Sequence, residues 1–193
     1  MNQENQPLSA EQSLGIISQM IRQAQGKVQQ SSFYFLLWGW VITLANLGMY
    51  CTIAFTEYDE YAPFFWLLPI PAWIATIIYG RKQDKSSSSS SHLDKISMWL
   101  WVFTGIAILP VIIFGYQINY QINPVVLILV SIPTFVSGII IRFRPLLVGG
   151  ISFLILSIVC FLVDGQTQYL VGGVAMVLGY LIPGYLLKYQ KEQ

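Results

Sequence analysis

The sequence predicts an all-α fold: a polytopic membrane helix bundle of six transmembrane helices, preceded by an N-terminal amphipathic helix. Three observations predict it. Six apolar segments, 33–55, 63–80, 96–115, 124–141, 145–163 and 169–187, hold no Lys, Arg, Asp, Glu or His. Each is about 18 to 23 residues long, enough to cross a hydrocarbon core of roughly 30 Å at 1.5 Å per residue. The composition, 55% hydrophobic and only 10% charged, is far from the roughly 25% charged residues of a soluble domain. Finally, if the six segments span, every basic residue falls at one end of the bundle: Arg22, Lys27, Arg81, Lys82, Lys85, Lys95, Arg142, Arg144, Lys188 and Lys191. The three loops at the opposite end contain only acids, Glu57, Asp59, Glu60 and Asp164.

The charge asymmetry orients the chain. Lys and Arg close to span ends are retained in the cytoplasm, so the N-tail 1–32, the loop 81–95, the turn 142–144 and the tail 188–193 are expected there. Both termini are then cytoplasmic. The first 32 residues are polar and Gln-rich with no short apolar core, so the first span is expected to serve as the insertion signal.

Within the N-tail, Ser9 with Gln12 three residues later resembles a capping box. Leu14, Ile17, Met20, Ile21, Ala24 and Val28 then recur at helical spacing and predict an amphipathic helix over about 9–28. This helix either runs into the first span or breaks at Gly26. Its polar face is mostly Gln and Ser, which does not favour strong attraction to anionic lipid. Three placements are open to this helix: lying in the membrane interface or packing under the bundle, which are favoured, or offering its apolar stripe as the candidate docking surface for a cytoplasmic protein partner. In span one Asn46 carries an amide expected to bond to another helix. Span two contains LPIPAW, whose double proline is expected to bend it strongly.

The loop 81–95, RKQDKSSSSSSHLDK, is a flexible low-complexity connection. His92 within it stands without Cys, Asp or Glu at ligand spacing, which argues against a metal site. Glu57, Asp59 and Glu60 do not supply the six to eight oxygens that calcium takes. Trp38, Trp40, Trp99 and Trp101 near one end and Trp66 near the other fit an interfacial belt, with Trp73 packed deeper. Small residues gather in the last two spans, Gly149, Gly150, Gly172, Gly173, Ala175, Gly179 and Gly184, and predict close packing of spans five and six or a homo-oligomeric face. Cys51 and Cys160 both lie toward the acidic end, where a disulfide is conceivable and plain helix packing is favoured.

Several functions are disfavoured. A formal net charge of +1 without an Arg/Lys stripe argues against nucleic acid. No serine has a histidine or lysine beside it within a span, no acids pair in the core, and no phosphate loop is present, so neither catalysis nor a cofactor is expected. The spans carry no ionisable residue, the usual mark of a substrate path. Asn46, Thr76, Ser131 and Ser137 are the candidate intramembrane polar site, and a cavity joining them would indicate a small transporter or channel.

FYFLLWGW at 33–40, INYQINP at 118–124 with IRFRPLLVGG at 141–150, and YLVGGVAMVLGYLIPGYLLK at 169–188 resemble an uncharacterised family of small bacterial six-helix integral membrane proteins. The resemblance covers nearly the whole chain from about residue 12. It implies the bacterial inner membrane and a membrane-linked regulatory or stress role, with some members encoded beside small winged-helix regulators. It supplies no site residues. Together these readings favour a non-catalytic sensor or scaffold, with the transporter or channel as the alternative.

Overall fold

The computed structural model describes the backbone of residues 10–84 and 92–189, with the side chains of that range apart from those of 10–30, 59, 83, 84, 92 and 94. The structure is all-α, with six helices long and apolar enough to cross a membrane: Ser31–Phe55, Glu60–Lys82, Lys95–Ile113, Ile122–Ile140, Arg144–Leu162 and Gly165–Tyr189.

Helix α1, Ala10–Phe55, is a single helix of 46 residues. It continues through Gly26, so the N-terminal helix and the first span are one element of about 69 Å. The second span is less regular. It opens as a 3-10 helix, Asp59–Leu67, with Pro63 inside, and becomes α2, Pro69–Asp84, at the first residue of the double-proline segment. The change of helix type falls where Pro69 and Pro71 donate no N–H to the carbonyls one turn before them. Helix α3 is His92–Ile113, followed by a short 3-10 turn, Gly115–Ile118.

Helices α4, Ile122–Ile140, and α5, Arg144–Leu162, form a tight hairpin. The turn closes α4 with a Schellman motif. Arg142 adopts a left-handed φ of 54°, Phe143 N–H bonds to Gly138 O at 2.9 Å, and Arg142 N–H bonds to Ile139 O. Pro145 then occupies the first turn of α5, where its missing N–H costs nothing.

The last span joins α6, Gly165–Met176, a π turn, Val177–Leu181, and α7, Ile182–Tyr189. Asp164 caps α6, accepting from the Thr167 N–H at 3.1 Å and from its hydroxyl at 2.8 Å. The same two bonds hold the Asp164 carboxyl below the usual carboxylate range. In the π turn Ile182 N–H reaches Val177 O, five residues back, immediately before Pro183, which has no N–H of its own to give.

Spans one, four, five and six make the core. Spans four and six bury 50% and 56% of their most apolar stretch, against 11% and 6% for spans two and three. The second span packs on α1 and α3 packs on α4, so both lie at the rim with their large apolar side chains outward. The core groups Phe35, Leu127, Val130, Leu146, Phe153, Ala175 and Tyr180. Tyr180 lies within ring-contact distance of Phe35, Trp101 and Phe153. Spans five and six meet at Gly149, where an added Cβ would stand 2.6 Å from Gly179 O. The predicted small-residue stripe is therefore used inside the bundle, where Ala175 and Gly179 are buried.

Trp38 and Trp101 are half-buried and donate to Thr76 and Ser137. Trp73 stays about half exposed, edge-on to Trp38. Both cysteines are free, Cys51 exposed and Cys160 buried.

Candidate functional site

The four polar residues singled out in the spans do not converge. Thr76 accepts from Trp38 Nε1 at 3.1 Å, between the first and second spans. Ser137 accepts from Trp101 Nε1 at 3.2 Å, between α3 and α4. Ser131 donates to Ile128 O within its own helix at 2.7 Å. Asn46 sits apart, toward the acidic end. Three of the four are thus accounted for by local packing.

Asn46 behaves differently from the expected interhelical donor. Its Nδ2 donates to Ile42 O of its own helix at 2.9 Å, and its Oδ1 is buried with no hydrogen-bond partner. Thr43 Oγ1, one turn earlier on the same face of α1, is the second buried side-chain oxygen without a partner among the described residues. Asn46 is only 1% exposed.

Residues from two other spans complete this junction. An added Cβ on Gly172 would lie 2.7 Å from Asn46 Oδ1 and 3.4 Å from Asn123 Oδ1. Bare glycine backbone is what lets the Asn46 amide approach α6 so closely. Asn123 is buried in the first turn of α4. Gln168, one turn outward of Gly172 on α6, is buried and donates through Nε2 to Gln121 Oε1 at 2.6 Å. The junction thus joins α1, α4 and α6 through uncharged amides. Sequence reasoning missed Asn123, Gln121 and Gln168 because they stand at span ends, where polar residues read as loop. The usable signal was their spacing: Gln168 lies four residues before Gly172, on the same helical face.

At the basic end, α1 carries the candidate docking stripe. The side chains of Leu14, Ile17, Met20, Ile21, Ala24 and Val28 lie outside the described residues; the α1 backbone places these positions on one face. That face runs on in phase, through steps of three and four, into Ser32, Phe35, Gly39, Thr43 and Asn46, all of which are buried in the bundle. The antiparallel register of α1 against the last span is fixed at three levels: Ser32 Oγ donates to Gly184 O at 3.1 Å, and Gly39 lies beside Tyr180 and Asn46 beside Gly172. On that register Tyr189 is level with about residue 29, so α1 continues roughly 28 Å beyond α7 at 1.5 Å per residue.

The stripe therefore prolongs the bundle-facing side of α1. A second copy of α1 lying against it in parallel would, inside the apolar region, occupy the place already filled by α6 and α7.

No protein-family model, curated protein or solved structure matches the chain.

Proposed function

We propose that this protein acts without catalysis in a bacterial inner membrane, as a sensor or scaffold that engages a cytoplasmic protein through the first helix. The basic end and both termini are cytoplasmic in this reading, by the retention of Lys and Arg on that side. The observation that carries it is the continuity of α1: one helix bears both the buried face of the bundle and, in phase with it, the stripe from Leu14 to Val28. A partner helix laid on that stripe would continue the track of α7. The resemblance to small bacterial membrane proteins with a regulatory context supports the same role.

The alternative, a small transporter or channel, draws on the polar junction at Asn46, which Thr76, Ser131 and Ser137 do not join. The test is a crosslink and pull-down from native membranes, comparing the intact chain with one lacking residues 1–28. A partner recovered only with the intact chain supports docking. Equal recovery from both chains rejects it and favours transport.

A further inference from the structure

We infer that the turn joining α4 and α5 binds the phosphate of an anionic phospholipid through Arg142 and Arg144, with an acyl chain laid along the outer face of α4. The inference rests on the six spans crossing a bilayer and not on the docking of a partner. Phe143 stands between the two arginines with an extended backbone and a buried side chain, while both arginines are exposed. Two guanidinium groups thus reach the surface from one short turn. Arg144 adds its charge to the positive end of α5, which it begins. Arg142 holds a left-handed φ of 54°, where glycine would close α4 with less strain.

No carboxylate among the described residues neutralises this corner. Glu57, Glu60 and Asp164, the acids whose side chains are described, all lie at the opposite end of the bundle. The side chain of Asp94, at the start of α3, lies outside the described residues. Lys95 adds to the positive charge. Trp101 bonds to Ser137 between antiparallel α3 and α4, so Lys95, six residues before Trp101, is level with Phe143, six residues after Ser137. Lys95 and Arg144 both open spans, which sets their charges at the depth of lipid phosphates. A lipid suits the site better than a free anion, because an apolar track leads away from it. Ile132, Phe135 and Ile139 recur in steps of three and four and are exposed along α4. One flank of this strip is α5, where Gly150 approaches Phe135, and α3 packs on α4 from the other flank through Trp101 and Ser137. Trp99 and Phe103, exposed on α3, are level with Ile139 and Phe135 in the same register.

The experiment is native mass spectrometry of the full chain in a neutral detergent, titrated separately with phosphatidylglycerol, phosphatidylcholine and inorganic phosphate. The intact chain is expected to bind phosphatidylglycerol several-fold more tightly than phosphatidylcholine. Arg142→Gln combined with Arg144→Gln should bring phosphatidylglycerol down to the phosphatidylcholine level. Arg81→Gln combined with Lys82→Gln, an equal loss of charge at the basic end of α2, should leave it bound as in the intact chain. Arg142→Gly keeps the turn, since glycine suits a φ of 54°, and should by itself weaken phosphatidylglycerol several-fold. Equal binding of the two lipids, or equal losses from the two charge pairs, would overturn the inference in favour of diffuse attraction. Inorganic phosphate bound as tightly as phosphatidylglycerol would overturn it in favour of a free-anion site. A chain that stays in solution without detergent would instead refute the spanning arrangement on which the site depends.

Discussion

Replacing Gly149 with alanine tests how rigidly the last two spans are held together. The new Cβ would sit 2.6 Å from the Gly179 carbonyl oxygen and 3.2 Å from Gly179 Cα, both backbone atoms that cannot rotate away. Relief requires α5 and the last span to separate by roughly 0.7 Å, to restore an ordinary carbon–oxygen contact. The neighbour that suffers most is Phe153, which is fully buried, lies against Gly179 and meets the Tyr180 ring edge-on with centroids 4.9 Å apart. A large buried side chain makes some 40 contacts of about 0.1 kcal/mol, and a gap of this size forfeits a quarter to a half of each. The loss is then about 1 to 2 kcal/mol, within the range known for overpacked cores. The assay is reversible unfolding in mixed micelles with increasing denaturing detergent, run beside Gly165→Ala, where an added Cβ meets nothing within 4 Å. Gly149→Ala should unfold earlier and Gly165→Ala should not. A Gly149→Ala chain as stable as the parent would refute the reasoning that this crossing is closed by direct backbone contact.

Three further outcomes follow from the same packing. Trp101→Phe and Ser137→Ala should each cost about 0.5 to 1.5 kcal/mol, and the double variant little more than either, because both remove one bond; a double-mutant cycle on the same unfolding assay measures the coupling. Tyr180→Phe should lose under about 1 kcal/mol, since Thr134 retains its bond to Val130 O, whereas Tyr180→Ala should lose about 3 to 5 by opening a cavity between Phe35, Trp101 and Phe153. Asp164 has its carboxyl pKa lowered by the Thr167 hydroxyl and N–H, so its contribution to stability is present above the unfolded carboxylate pKa and is lost as pH falls through the folded value. Asp164→Asn should flatten that part of an acid titration of unfolding, and an unchanged acid limb would count against the cap.

The spans were legible because length and absence of charge are one-dimensional signals. Their neighbours were not. An apolar helix face says that something covers it, not which helix does, so Thr76, Ser131 and Ser137 looked like one site while each is consumed by a different local contact. The bonds of Trp38 to Thr76 and of Trp101 to Ser137 were not readable either, because each joins residues on different spans. Gln168 was hidden in the polar run after Asp164, where the cap on Thr167 converts an apparent loop into the first turn of α6. The junction of the N-terminal helix with the first span was open in the sequence, because Gly26 permits either a break or the unbroken backbone that α1 has.

The pairing of α1 with α6 and α7 has a consequence for the order in which the chain is made. Ser32 and Gly184 bond across 152 positions of sequence, so the first span to leave the ribosome waits for the last to find its partner. Span two, which emerges next, packs on another side of α1, span three packs on α4, and α4 with α5 can close their own hairpin in the meantime. A chain that stops before Gly165 leaves Ser32, Phe35, Gly39 and Asn46 without the surface that buries them. Assembly is therefore gated by the C-terminal span. Synthesis arrested before it should yield an unclosed bundle with exposed apolar and polar groups, a form that quality-control proteases can distinguish from the finished protein.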